Sequence, residues 1–290
     1  MVVDPRFEVI SAIPTAFNMD GSFSPSRMTS LFSYLNKFDL DGYFVGGTAG
    51  EFLSLNRTER RDLATVAKAE VNTNKRLIMH VGSPSLRETT NLIADVRKVG
   101  IRDVAVITPL LLPTSFEAMY GYYREISDVA DKLNVYIYIY PQISGNTLSP
   151  SETAELMKLP NIVGAKISGV NAQAISRYYD AVPNNKLIYA GVDSAAIPMV
   201  NHGARGIVSA VSAAFPNAFT GLARAKNDAK LLDLQHSVND ICQTLEGSIP
   251  RIRYALKLQG VLSGIPRFPL PEITTEDAKH IRRLVDLYAN

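Results

Sequence analysis

A chain of 290 residues with 46% hydrophobic and 20% charged side chains has the composition of an ordinary globular protein, which excludes a disordered or fibrous chain. The 30 Lys and Arg against 28 Asp and Glu leave a formal charge of +2, so the sequence carries no electrostatic footprint for nucleic acid or an anionic membrane. The single cysteine, Cys242, excludes a disulfide framework and a cysteine-built zinc site.

In chain order, the first ten residues carry Asp4, Pro5, Arg6 and Glu8 and lack the pattern of a signal peptide. No apolar run reaches the length of a membrane span, so the expectation is a soluble, cytoplasmic protein. Short β-branched runs then alternate with longer helical patterns. Strands are predicted at Phe7–Ile13, Gly42–Gly46, Arg76–Val81, Asp103–Thr108, Val135–Tyr140, Asn161–Ile167, Lys186–Ala190 and Arg205–Ser209. The helical patterns between them are Arg57–Val71, Leu86–Val99, Ser115–Leu133 and Ser151–Leu159. Asn56 with Glu59 three residues on has the form of a capping box for the first of these. Four further helices, roughly Asn217–Ala225, Leu231–Glu246, Pro250–Leu262 and Glu276–Tyr288, follow the last strand, and Pro250 suits a first helical position.

Repeated β–α units with no long structureless stretch predict an α/β fold, a (β/α)8 TIM barrel with a C-terminal helical extension. The expected division is a catalytic barrel over residues 1–225 and a helical extension over 226–290 packed on it as one structural unit. An open doubly wound sheet is the competitor, but Pro14-Thr15-Ala16-Phe17 follows the first strand where that fold would carry a glycine-rich phosphate turn.

A barrel of this kind places its chemistry at the C-terminal strand ends, here Thr15, Thr48, Ser83, Thr108, Tyr138, Lys166, Asp193 and Ser209. Lys166 ends an apolar strand. Burial disfavours an ammonium and lowers its pKa, and the neutral amine is a nucleophile toward carbonyls. The alternative is a lysine that snorkels out of the barrel mouth. Gly164, on the same face, would leave room beside it. Tyr136, Tyr138 and Tyr140 alternate with Ile137 and Ile139 and share a face. Tyr138 would reach the amine from the neighbouring strand, about 4.8 Å away, or else be a core aromatic with a satisfied hydroxyl. Gly46-Gly47-Thr48-Ala49-Gly50-Glu51 follows a strand and precedes a helix; its exposed N–H groups and the Thr48 hydroxyl suit a carboxylate. His80, His202, His236 and His280 show no metal-ligand spacing and are expected in structural or surface roles. Asp41, Asp193 and Glu51 form no evident pair, Lys226 to Lys230 suggests a solvated helix face, and Cys242 a buried, inert thiol.

Taken in order, these residues resemble the dihydrodipicolinate synthase / N-acetylneuraminate lyase family of pyruvate-dependent class I aldolases. Thr15-Ala16-Phe17 with Asp20-Gly21-Ser22, Gly47-Thr48-Ala49-Gly50-Glu51, Thr108-Pro109, Tyr138-x-x-Pro141-x-x-Ser144-Gly145, Gly164-x-Lys166, Gly191-x-Asp193 and Gly206-Ile207-Val208-Ser209 carry the resemblance from Thr15 to Ser209. It implies Lys166 as the Schiff-base residue, Tyr138 as the catalytic tyrosine and Thr48 as a catalytic hydroxyl. Gly47, Thr48, Ala49, Ser168, Gly191 and Val208 become substrate-binding positions. It also implies no cofactor beyond the covalent imine of pyruvate on Lys166, no metal, a keto acid and an aldehyde as ligands, and a homotetramer built as a dimer of dimers.

Departures from the family pattern narrow the substrate. Ile143 stands where dihydrodipicolinate synthases carry a carboxylate-binding arginine. Leu110-Leu111-Leu112 stands where they carry a second relay tyrosine, and Ala49 replaces the loop's second hydroxyl. Ile139 replaces a common asparagine and Ile167 a common acidic residue, whereas Ser168 matches a hydroxyl of the sugar-acid lyases. The pattern is similar to the 2-keto-3-deoxygluconate aldolase side of the family and implies cleavage of a 2-keto-3-deoxy sugar acid to pyruvate and an aldehyde such as glyceraldehyde. The alternatives are N-acetylneuraminate lyase, a dehydratase using the same imine, dihydrodipicolinate synthase, and a keto-acid-binding protein without turnover.

Overall fold

The computed structural model describes residues 6–267 and 269–289. Asp4 and Pro5, invoked for the N-terminus, lie outside the described residues. Eight strands, β1 (Glu8–Ala12), β2 (Gly42–Val45), β3 (Arg76–His80), β4 (Asp103–Ile107), β5 (Asn134–Ile139), β6 (Ile162–Ser168), β7 (Leu187–Gly191) and β8 (Gly206–Ser209), close into a barrel in chain order. The strand pairs described are parallel, which requires a crossover after each strand, and helices supply it. Every predicted strand is present within a residue at either end.

The chain groups into two compact units, Met1–Arg76 with Ser209–Asn290, and Leu77–Val208. The first holds β1 and β2 with α1 (Pro25–Leu35) and α2 (Arg57–Glu70). Asn56 and Glu59 form the expected capping box at the start of α2, where each satisfies an orphan backbone N–H of the other. Helix α1 was not anticipated, yet Met28, Leu31, Phe32 and Leu35 fall at helical spacing and are its buried face. In the second unit, α3 (Leu86–Val99) starts at a Ser85 cap and ends at Gly100, whose φ of 82° terminates the helix cheaply only for glycine. Thr89, Leu92, Ile93 and Val96 form its buried stripe. The remaining crossovers of this unit are α4 (Phe116–Ala130), α5 (Pro141–Ser144), α6 (Pro150–Leu156), α7 (Ala172–Ala181) and α8 (Ala196–Asn201). Helices α5, α7 and α8 escaped the sequence pattern because they bury too few side chains to show a period: α7 buries only Ile175 and Tyr178.

Helices α9 (Pro216–Ala223), α10 (Asp228–Leu245), α11 (Ile249–Leu258) and α12 (Thr275–Tyr288) complete the first unit. Pro250 occupies the second position of α11 rather than the first; the N–H there is also without an intrahelical partner. Lys226 and Lys230 are solvated; Lys226 precedes the Asn227 cap of α10, and Lys230 lies in the exposed first turn of that helix. Cys242 on α10 is half-buried rather than buried.

Candidate active site

The Leu77–Val208 unit gathers Lys166, Tyr138, Ser168 and Gly191. In the barrel register Tyr138 pairs with Lys166, and Ser168 with Gly191, so adjacent strands set these side chains side by side. Lys166 is 7% exposed, and its Nζ lies 4.2 Å from the centroid of the Tyr138 ring. Burial drives the amine down from 10.5 to about 7, with the Asp193 carboxylate opposing the fall. The lysine therefore does not snorkel: its amine stays in the barrel, close to half neutral at physiological pH.

Gly164 serves a purpose different from the one expected. A Cβ at Gly164 would stand 2.3 Å from the Leu187 carbonyl oxygen, so glycine admits the β7 backbone rather than clearing space beside Lys166. A bulge next to it shifts the β5–β6 register between Val135 and Tyr136 and brings Tyr138 opposite Lys166. A Cβ at Gly191 would stand 2.0 Å from Ser168 Oγ and 3.3 Å from Lys166 Cε, so the close seating of those side chains depends on the missing methyl. Ile143, on α5, faces solvent at 37% exposure.

Three neighbours were missed or undervalued. His80, buried at the end of β3, sets its ring perpendicular to Tyr138 with centroids 5.9 Å apart. It shares the Ile78 face of β3 by the two-residue period, the one signal that could have found it. Tyr140 lies just past β5 and opens α5, and its ring sits 6.1 Å from that of Tyr138 at 36°. Asp193, just past β7, acts electrostatically on both Lys166 and Tyr140. Thr108 is a positioning hydroxyl: its N–H donates to the Tyr138 carbonyl and its Oγ1 to Ser144 Oγ at 2.8 Å. Ser144 Oγ in turn contacts the Tyr140 carbonyl at 3.2 Å. Ser83 donates its N–H to Thr89 Oγ1 near the start of α3, and Val208 is buried in β8.

The Gly47-Thr48-Ala49 turn is built within the other unit. The N–H of Glu51 donates to the Thr48 carbonyl at 3.0 Å, and Thr15 Oγ1 donates to the Gly50 carbonyl at 2.7 Å. Glu51 adopts a φ of 56°, a left-handed conformation costly for a non-glycine residue, and a buried network holds it there. Its carboxylate accepts from Arg253 at 2.6 Å and from the Arg267 N–H at 2.8 Å. Arg253 also donates to the carbonyls of Ser263 and Thr15. Glu51 thus pairs with Arg253 and Asp41 with Arg224, partners more than a hundred residues away in sequence. Ser209 Oγ accepts the Ser212 N–H at 2.9 Å, and the Ser212 hydroxyl donates to the Ser209 carbonyl at 3.0 Å. Among the described residues, no group of three or more His, Cys, Asp or Glu could hold a metal, and no helix is long and apolar enough to cross a membrane.

The profile of the Dihydrodipicolinate synthetase family matches residues 6–287. N-acetylneuraminate lyase of Histophilus somni is 30% identical over 274 residues, covering 92% of this chain and 93% of that protein. The 4-hydroxy-tetrahydrodipicolinate synthase of Synechococcus elongatus is 29% identical over 278 residues, 94% of this chain and 93% of the relative. The sialic acid aldolase of Ruminococcus gnavus superposes with a TM-score of 0.91 over 98% of this chain and 97% of its own; at 23% identity that likeness speaks for the fold alone. Members of the family are class I pyruvate aldolases that hold a covalent lysine–pyruvate Schiff base and use no external cofactor. With the family profile running almost end to end and a relative at 30% identity aligned over more than nine-tenths of both chains, the chain belongs to the Dihydrodipicolinate synthetase family and is a carbon–carbon lyase.

Proposed function

We propose that this enzyme cleaves a 2-keto-3-deoxy sugar acid, such as 2-keto-3-deoxygluconate, to pyruvate and an aldehyde such as glyceraldehyde. The observation that carries the reading is the buried Lys166 amine, brought down to about 7 and set against the Tyr138 ring. Lys166 attacks the C2 carbonyl and loses water to give the imine, whose protonated form takes up the electron pair when C3–C4 breaks. Tyr138 accepts the C4 hydroxyl proton and later returns a proton to the enamine carbon. On the family resemblance, Thr48 and the N–H groups of Gly47 and Ala49 hold the keto acid's carboxylate, while Ser168, Gly191 and Val208 line the substrate. Ile143 offers no charge to a second carboxylate, which argues against aspartate semialdehyde as the acceptor.

A second reading, cleavage of N-acetylneuraminate, is favoured by the Histophilus somni relative. Pyruvate release from a panel of 2-keto-3-deoxy acids and N-acetylneuraminate separates the two. Faster turnover of N-acetylneuraminate, or faster condensation of pyruvate with aspartate semialdehyde than with glyceraldehyde, overturns the sugar-acid reading. Tyr138→Phe keeps the ring and loses the hydroxyl; it should still trap pyruvate with borohydride yet lose about 10²–10⁴-fold in kcat. A cytoplasmic homotetramer completes the proposal. Leu111 and Leu112, 77% and 75% exposed, are apolar surface that such an assembly would cover, and sedimentation of the purified protein tests it.

A further inference from the structure

Helix α11 presents one stripe to a cleft. Pro250, Arg253, Tyr254 and Lys257 recur at the i, i+3, i+4 and i+7 spacing of a single helix face, and all four line a cleft of about 310 Å³. Residues 262–266 and 271–273 supply most of the remaining lining, with Met19 and Arg27. Every one of these residues belongs to the unit that holds β1 and β2. The volume stands at the lower end of the range for small-molecule sites. Its walls are apolar in Tyr254, Ile265, the prolines and Leu262, and Leu262 and Ile265 are left 54% and 42% exposed. Two cations belong to the Leu262 end. Arg27 donates to the Leu262 carbonyl at 3.4 Å, and the Lys257 carbonyl accepts the Gly260 N–H two residues ahead of Leu262. Among the described residues neither cation is in an ion pair. Glu272 is the one acid in the lining, so two unpaired cations against one carboxylate leave a balance that suits a single negative charge.

A second observation points to the same end. Arg253 Nε and Ser263 Oγ are closed off from water and have no hydrogen-bond partner, on residues 3% and 2% exposed that both line the cleft. The two residues are joined, since Arg253 also donates to the Ser263 carbonyl at 2.6 Å. The other bonds of that guanidinium go to Glu51 and the Thr15 carbonyl. Folded proteins pair buried donors almost without exception, because an orphaned one forfeits its hydration with no return. What this group of donors lacks is an acceptor.

We propose that the cleft binds a monocarboxylate with an apolar tail. Arg27 and Lys257 hold the carboxylate at the Leu262 end, Arg253 Nε and Ser263 Oγ donate to it, and the tail lies along Tyr254 and Ile265. None of Gly47, Thr48 and Ala49 lines this cleft, so the proposal goes beyond the lysine-imine reading and does not depend on it.

Hexanoate is the probe, with hexan-1-ol and hexylamine as its neutral and cationic counterparts, titrated into the full-length protein by saturation-transfer NMR. Hexanoate should bind with a Kd on the order of 1 mM, the scale for eight heavy atoms, and at least about tenfold more tightly than either counterpart. Replacing both rim cations, Arg27→Gln with Lys257→Gln, should weaken hexanoate about tenfold while the urea midpoint stays at the wild-type value. Ser263→Ala deletes a hydroxyl that has no partner, so its urea midpoint should match or exceed the wild type, yet hexanoate should bind roughly threefold or more weakly. If the double variant fails to fold, Ser263→Ala decides. Equal affinity for the three probes overturns the proposal and leaves an apolar surface cleft. Unchanged hexanoate affinity in the variants overturns it too, as does displacement of hexanoate by pyruvate, which would place the probe in the keto-acid site.

Discussion

The amine of Lys166 should switch on near neutral pH. An ordinary lysine, with a pKa of about 10.4, has roughly one amine in a few thousand free at pH 7. Lys166, brought to about 7 by burial, has about half, a gain of roughly 10³ in reactive amine without any change of residue type. The initial rate of pyruvate trapping by cyanoborohydride, measured from pH 5 to 9, should rise with a midpoint near 7. Asp193→Asn removes the charge that supports the ammonium, so its midpoint should move to lower pH. The same displacement is a stability statement. Below about 7 both folded and unfolded chains hold the proton, and the cost of burying the cation is full. Between about 7 and 10.5 the unfolded chain keeps a proton that the folded chain has lost, so wild-type stability rises with pH through that window. At 1.36 kcal/mol per pH unit the cost is at most roughly 4–5 kcal/mol. Lys166→Met should therefore be more stable than wild type at pH 6 in urea denaturation, and that advantage should shrink by about 2–3 kcal/mol by pH 9. A trapping midpoint near 10, an Asp193→Asn midpoint that moves up, or a pH-independent stability difference would refute the reasoning.

Glu51→Gln leaves Arg253, whose side chain is 3% exposed, without its anion; the loss should be about 3–5 kcal/mol in urea denaturation, and under about 1 kcal/mol would mean the pair does not hold the turn. Gly191→Ala places a methyl 2.0 Å from Ser168 Oγ, a side chain that can rotate, so the protein should fold while pyruvate trapping slows at least tenfold. Gly164→Ala meets the Leu187 carbonyl at 2.3 Å, which cannot rotate away, and should lower stability by about 1–3 kcal/mol as an overpacked core, read as a fall in the urea midpoint. Pyruvate trapping should survive dialysis against EDTA; activity lost to chelation and restored by Mg²⁺ or Zn²⁺ would place the chemistry on a metal.

Local pattern was enough for the barrel. Each strand is a short apolar run and each major crossover a helix with a buried stripe, and both periods lie within a few consecutive residues. The Asn56–Glu59 capping box was legible for the same reason, since its two partners are three residues apart. Lys166 and Tyr138 were legible as residues out of place: a lysine ending an apolar strand and tyrosines on one face of its neighbour. What the sequence could not supply was which distant residues meet. Asp193 had no partner in the chain around it; the β6–β7 register, with Ser168 opposite Gly191, brings that stretch of chain to Lys166 and Tyr140. Glu51 found Arg253 only because the chain returns 202 residues later to its turn. Gly164 was assigned open space when its requirement was the approach of a neighbouring backbone. Propensity and period are properties of adjacent residues, whereas the pKa of Lys166, the seating of Tyr138 against His80 and Tyr140, and the ion pair at Glu51 are properties of register and burial, which exist only once the strands have paired.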